Sequence, residues 1–326
     1  MSLQIIKSGL LDSIQDKGRH GYQHLGINPG GAMDSFSTQA GNALLGKDLY
    51  SPVIEIHFPA SVILFEKETI ICITGADFSP VINQKKIPID QPIVVNKNSV
   101  LQFEKKESGA RCYLAVLHKF DLDKWLNSYS TNLVAGAGGF KGRALKIGDI
   151  IHFKNNFEYK YLAKEKDLSL LPWKTISTQG AKKEIRFIKG PEWDWLTNDA
   201  QKVFAERNFQ ILNNSNRMGY HLKGNSLKLK EDKQLISSGV TFGTIQLLPN
   251  GQMIVLMADH QTTGGYPRIA QIISADLPLL AQRNPGDEIK FYEVEHDFAE
   301  QQLIEQHMQL VQLQNASKFK MEKILL

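Results

Sequence analysis

At 326 residues the chain is long enough for two domains, each with its own core, and 42% hydrophobic with 22% charged residues is the make-up of an ordinary globular protein. A net charge of +4, spread along the chain apart from short clusters such as Lys182-Lys183, argues against a nucleic-acid partner. No apolar run is long enough to span a bilayer, and the N-terminus goes straight into the short strand pattern Leu3-Gln-Ile-Ile6, so no membrane role and a cytoplasmic location are expected.

After that strand comes Ser13-Ile-Gln-Asp-Lys-Gly-Arg-His-Gly-Tyr22, too rich in glycine for a helix and too polar for a buried strand. It is predicted to be an ordered loop carrying Gln15, Asp16, Arg19 and Tyr22. Asn28-Pro29-Gly30-Gly31 reads as a turn. Asp34 or Ser35 then caps a helix with Phe36, Ala40, Ala43 and Leu44 on its apolar face, ended by Gly46. Short strands follow at 53–58, 62–65, 69–74, 93–95, 100–103 and 111–117, with Glu55 pointing away from Ile54, Ile56 and Phe58. Cys72 and Cys112 lie within two of these runs and read as small buried hydrophobes.

Residues 135–143 are glycine-rich, but Lys141 stands where a dinucleotide fingerprint needs its third glycine, and a Gly148-Asp149 turn replaces the expected helix. From about 154 to 183 periodicity fades and charge rises, which marks the predicted boundary between a first domain, 1–170, and a second, 180–296. The second holds a strand from Glu184 to Ile188, a short helix near 197–205, a polar loop at 213–219, a strand at 269–275 and another at 288–294. Residues 297–326 carry Phe298, Ile304, Met308 and Val311 at roughly helical spacing, so a terminal helical tail is expected. Neither half alternates strands with helices. The expected class is therefore mainly β, two related, mostly antiparallel barrels with a few short helices.

The most informative stretch of the second domain runs from Ser237 to Pro267. Asn250-Gly251 predicts a type I′ turn joining strands at 241–248 and 252–258. The second strand then empties into Asp259-His-Gln-Thr-Thr-Gly-Gly-Tyr266, where a rigid scaffold can present polar groups to a ligand. Asp259 can hold or accept a proton. Gln261 and Thr262 can bond the edge of an amide or ureido ring, with Tyr266 beside them and Gln246 facing from the opposite strand. Gly264 and Gly265 supply the bend, with φ > 0 expected at Gly265. Arg19, Arg143 and Arg217 lie in glycine-flanked loops, where a guanidinium can meet a carboxylate or phosphate. The alternatives are an ordinary polar turn, a buried network pinning the hairpin, and internal ion pairs of those arginines with Asp16, Asp34 or Asp259.

No phosphate loop, zinc-ligand spacing or serine-hydrolase elbow occurs, so no metal site and no cofactor bound by a recognisable motif is expected. The blocks Gln15-Asp-Lys-Gly-Arg-His-Gly-Tyr-Gln23, Gly31-Ala-Met-Asp34, Asn42-Ala-Leu-Leu-Gly46, Thr74-Gly-Ala-Asp77, Gly142-Arg143, Asn216-Arg-Met-Gly-Tyr220 and Ser237 to Pro267 together resemble one family. It comprises the C subunit of bacterial 5-oxoprolinase, allophanate hydrolase subunit 2, KipA-type regulators and the carboxyltransferase domain of urea carboxylase. The resemblance covers about Gly9 to Val294. It implies two cyclophilin-like barrels with a cleft between them, and as partners a kinase-inhibitor-like B subunit and a lactam-utilisation-like A subunit. The reaction it implies for the complex is ATP-dependent opening of 5-oxo-L-proline to L-glutamate.

Asp259, Gln261 and Tyr266 are the expected catalytic residues, with Gln15, Arg19, Asp34, Arg143, Arg217, Gln246, Thr262, Gly264 and Gly265 binding a small-molecule substrate. Asp34 is also read as a helix cap. Two further roles fit the same family. One is carboxyl transfer from carboxybiotin, borne by a separate carrier, to a urea-like acceptor, and the other is non-catalytic regulation by binding the kinase-inhibitor-like partner. Tyr129 stands in Asn127-Ser-Tyr-Ser-Thr131 where the family commonly has arginine, which puts anion binding there in question.

Overall fold

The computed structural model describes residues 2–154, 168–175, 184–231, 233 and 235–325. The chain is mainly β and divides into two compact units, neither contiguous in sequence. The first comprises Met1–Gly18, Asp34–Gly180 and His307–Leu326, and the second comprises Arg19–Met33 and Ala181–Gln306. The sequence draws its limits at 170, 180 and 296, whereas the contacts assign a short early segment to the second unit. Residues 155–167 and 176–183, which include most of the predicted boundary, lie outside the described residues.

The first unit carries β1 (Ser2–Lys7), β2 (Ser13–Gln15), α1 (Ser35–Leu44), β3 (Val53–Ile56), β4 (Val62–Phe65), β5 (Thr69–Asp77) and β6 (Pro80–Ile82). It continues with β7 (Lys85–Lys86), β8 (Ile93–Val95), β9 (Ser99–Phe103), β10 (Ser108–Val116), β11 (Ile150–His152) and β12 (Leu168–Leu170). These form two six-stranded sheets, ordered β11-β1-β4-β9-β6-β7 and β12-β8-β5-β10-β3-β2. Their apolar faces share one core, including Leu3, Ile5 and Phe65 from the first sheet and Ile54, Ile73 and Leu114 from the second. Residues 13–15, expected in a loop, pair with β3, Ile14 opposite Ile54.

α1 begins where the sequence places it. Asp34 is extended, and its Oδ1 accepts from the Ser37 N–H at 2.8 Å, as an N-cap requires. Both cysteines are free and buried.

The second unit holds β13 (Glu184–Lys189), α2 (Asn198–Glu206), β14 (Asn208–Ile211), β15 (Gly219–Lys223), β16 (Ser238–Gly239), β17 (Thr244–Leu247), β18 (Met253–Leu256), β19 (Thr263–Gly264), β20 (Arg268–Ile272), α3 (Leu277–Ala281) and β21 (Glu288–Glu293). Seven of these strands close a barrel in the order β13-β20-β17-β18-β15-β14-β21, and β16 and β19 pair separately. The ring is sealed by the parallel pair β13 and β21, Glu184 opposite Lys290, in an otherwise antiparallel barrel. Thr197 caps α2 by accepting from the Ala200 N–H, and Phe204 stacks on Phe291 at 4.7 Å between centroids.

The β17–β18 hairpin exists, but its turn is not type I′. Leu248 N–H donates to the Gln252 carbonyl at 2.8 Å across the three-residue loop Pro249-Asn250-Gly251, and of these only Gly251 has positive φ, 77°. Proline fixes φ near −65°, which suits the first corner of a type I turn followed by a left-handed glycine.

The last helix, α4 (His296–Leu325), has residues in both units. In the second, Arg186 donates to Gln302 at 2.9 Å, and in the first, Leu310 packs with Ala40, Ala43 and Leu49. No helix among the described residues is long and apolar enough to cross a membrane.

Candidate functional site

Within the second unit, the loop ahead of β15 and the exit of β18 bring Arg217 and Asp259 together. Arg217 Nε donates to Asp259 Oδ2 at 2.8 Å and Nη2 donates to Oδ1 at 3.0 Å. The Asp259 N–H also donates to the Arg217 carbonyl at 2.8 Å, so backbone and side chains fix the same register. The remaining reach of Nη2 goes to the Gly31 carbonyl at 2.6 Å. A bidentate guanidinium and carboxylate with so little exposure, 6% and 9%, form a fixed unit.

Arg19 lies in the same unit, 1% exposed, and its backbone N–H donates to the Pro29 carbonyl. Its guanidinium and the Asp259 carboxylate both flank Gly30. A Cβ added there would sit 2.9 Å from Arg19 Nη1 and 3.5 Å from Asp259 Oδ1. Gly30 also has φ of 62°, so both the space and the backbone require glycine. Asp259 is thereby engaged in holding Arg217. Both of its carboxylate oxygens accept guanidinium protons.

The loop beyond Asp259 presents the polar face. Gln261 is exposed, Thr262 half-buried and Tyr266 43% exposed, available to bond a ligand's edge. β19 pairs with β16 through Ser238 and Gly264, and the Thr262 carbonyl accepts from the Val240 N–H. Beneath it Gln246 is fully buried and donates to the Tyr266 carbonyl at 3.4 Å. A Cβ on Gly264 would approach Gln246 Nε2 to 2.4 Å, so this glycine is set by close approach. Gly265 does not have the positive φ expected of it, and nothing stands nearer than 3.4 Å to its Cβ position. The bend needs no left-handed residue there.

Arg268 closes the loop. Its Nε and Nη2 donate to Glu192 at 3.0 and 2.8 Å, and its backbone N–H donates to the same carboxylate. Burial works to raise the Glu192 carboxyl, and the Arg268 bonds outweigh it, leaving it below its ordinary value. His260, beside Asp259, is buried with Nδ1 2.5 Å from the Gln261 carbonyl, and burial pushes its pKa down.

Three sequence-predicted residues belong to the first unit. Gln15, fully buried in β2, donates to Ser13 Oγ at 2.9 Å. Asp34 caps α1, and its Oδ2 accepts from Ser37 Oγ at 2.6 Å. Arg143 pairs with Asp149 through two bonds of 2.7 and 2.8 Å, a partner the sequence does not single out. Next to Gln15, Asp16 accepts from Ser128 Oγ, Ser130 Oγ and the Tyr129 N–H at 2.6, 2.6 and 2.7 Å, which joins the two loops.

Sequence reasoning passes over the Glu192–Arg268 pair, and also Tyr113, whose hydroxyl accepts from the Asp34 N–H at 2.8 Å and donates to buried Glu55 at 3.0 Å. The one local signal for the latter is a glutamate inside an apolar strand. Among the described residues no group of three or more His, Cys, Asp or Glu is placed to hold a metal ion.

The chain belongs to the carboxyltransferase-domain family. Residues 25–293 match the family described as carboxyltransferase domain, subdomain A and B. It is 36% identical over 279 residues to the C subunit of 5-oxoprolinase from Haemophilus influenzae, covering 86% of this chain and 87% of that one. It is likewise 36% identical over 294 residues to the C subunit of 5-oxoprolinase from Escherichia coli, covering 89% and 90%. Among solved structures it is similar to the K. lactis urea amidolyase, with a TM-score of 0.87 at 25% identity over 96% of this chain, and it spans only 20% of that larger chain.

Proposed function

We propose that this chain is one component of an ATP-dependent 5-oxoprolinase, which opens 5-oxo-L-proline to L-glutamate beside a kinase-inhibitor-like B subunit and a lactam-utilisation-like A subunit in the cytoplasm. The observation that carries the reading is identity of 36% along nearly the full length of two chains named as the C subunit of 5-oxoprolinase. The geometry accords with it. A lactam offers one N–H and one C=O along an edge, which Gln261, Thr262 and Tyr266 can bond from the exposed side of their loop. Asp259 keeps the Arg217 guanidinium in a fixed place beneath that loop. ATP is used by the complex, with no recognisable nucleotide motif assigned to this chain.

A second reading, carboxyl transfer to a urea-like acceptor from carboxybiotin on a separate carrier, draws on the family's description and on the likeness to urea amidolyase. Co-expression with the cognate partners, followed by an assay of glutamate release from 5-oxoproline with ATP, separates the two. Turnover supports the first. An intact complex that releases no glutamate but consumes carboxybiotin in the presence of a urea-like acceptor refutes it and leaves the second.

A further inference from the structure

We propose that a lysine-lined cavity in the first unit binds a small molecule carrying adjacent phosphate groups, of the nucleotide or pyrophosphate class. The cavity measures about 400 Å3, within the range of small-ligand sites. Its wall includes Lys17, Lys47, Lys119, Lys124 and Lys154 against two acids, Asp16 and Asp48, a formal excess of three positive charges. None of the residues in the Asp259 loop contributes to it.

The oxygens of the two acids are largely occupied by neutral donors of the protein. Asp16 directs its oxygens at Gly18 N–H, Ser128 Oγ, Ser130 Oγ and Tyr129 N–H, and Asp48 Oδ1 accepts from the Tyr50 N–H at 2.8 Å. Lys154 has Asp121 at 3.4 Å, but both side chains are about half exposed and the pair is weak. The ammonium groups of Lys17, Lys119, Lys124 and Lys154, with Lys47 only partly protonated near neutral pH, repel one another and give the space between them a positive potential. Lys47 registers the strain. It donates to the Val116 carbonyl, and burial first, then repulsion from Lys119, push its amine down to about 7, against the opposing pull of Asp48.

The ligand's class follows from the number and arrangement of the cations. A single carboxylate neutralises one of them, whereas vicinal phosphates engage several, and lysine binds phosphate as a point charge. Aromatic faces lie among them. Lys17 Nζ stands 5.1 Å from the Tyr50 ring centroid and Lys124 Nζ 5.2 Å from that of Tyr129, and Phe120 also lines the wall. Tyr50, 43% exposed, is the ring that a flat base attached to a charged tail could reach.

The test is calorimetric titration of the full chain with ATP, ADP, inorganic pyrophosphate and L-glutamate at low and at physiological salt, and it does not depend on the reaction proposed above. Saturable binding of ATP and pyrophosphate that weakens with salt is expected. The exposed pair Lys119→Gln and Lys124→Gln should lower affinity tenfold or more without altering the melting profile. Tighter binding of ATP than of pyrophosphate supports the proposal with the rings engaged, and equal binding supports it with phosphates alone. No saturable binding of any phosphate, unchanged affinity in the double variant, or equal binding of glutamate would overturn it.

Discussion

Arg217 and Asp259, 42 residues apart, grip each other through two side-chain hydrogen bonds and one between their backbones, and Arg217 also reaches the Gly31 carbonyl from a segment near the N-terminus. The pair therefore ties three segments of the second unit together whatever it does for a ligand. A buried ion pair that loses one partner leaves the other charge uncompensated.

Asp259→Asn is expected to destabilise the second unit by about 3 kcal/mol, because the guanidinium of Arg217 would remain buried without its counter-charge. Urea unfolding followed by the barrel's tryptophan fluorescence measures this. A variant as stable as the parent would mean that the carboxylate is not structural and would return it to the role of proton acceptor.

Adjacent glycines should respond differently. Gly264→Ala drives a methyl into Gln246 Nε2, whose side chain is fully buried, and overpacking of that kind costs about 1–3 kcal/mol. Gly265→Ala meets ordinary contact distances and should change stability by less than about 0.5 kcal/mol. Equal melting temperatures for the two variants would contradict the packing described for this loop.

Asp16→Asn exchanges an acceptor of four donors for an amide that must turn its own N–H groups toward some of them. Hydrogen bonds to a charged group contribute about 1.5–3 kcal/mol, so a loss on the order of 2 kcal/mol is expected in the first unit. Faster hydrogen exchange at the Tyr129 and Gly18 amides, which donate to this carboxylate, would locate the effect.

The first unit should weaken in mild acid. His118 is buried against Phe153, with Nδ1 2.7 Å from Thr69 Oγ1, and burial first, helped by Lys67 and Lys47, lowers its pKa from 6.5 to about 4. Above pH 6.5 neither state holds the proton. Between 6.5 and about 4 only the unfolded chain does, so stability falls as pH is lowered through that window, by about 3 kcal/mol in all. His118→Gln should flatten the profile of unfolding free energy between pH 4.5 and 7, and an unchanged slope would refute the assignment.

What the sequence discloses here is what depends on neighbours along the chain. Asp34 is a cap signal by its residue type and α1 starts directly after it, while the helix expected near 197–205 is found at Asn198–Glu206. The β17–β18 hairpin is equally visible in its apolar strands, yet its turn type is not, because Pro249 precedes Asn-Gly and takes the first corner with its own fixed φ. Ser13-Ile-Gln15 hides its strand character, since three residues carry no period and the pairing that makes them a strand comes from β3.

The candidate site is legible in parts for the same reason. The Arg217–Asp259 pair is among the alternatives the composition offers, while the partner of Arg143 is not, and neither is the path from Glu192 to Arg268. The lysine cavity draws on residues 16–17, 47–52, 119–129 and 154, and each stretch on its own resembles a solvated turn. Nothing local records that Arg19–Met33 joins a core built mostly from residues beyond 180.

That early segment has a bearing on how the molecule is made. Met33 belongs to the barrel's core, and its segment leaves the ribosome about 150 residues before β13, while the helix residues that complete the first unit, 307–325, are synthesised after the barrel's last strand. Each unit therefore waits for residues translated after part of the other, and splitting the gene between them would strand pieces of each on the wrong fragment.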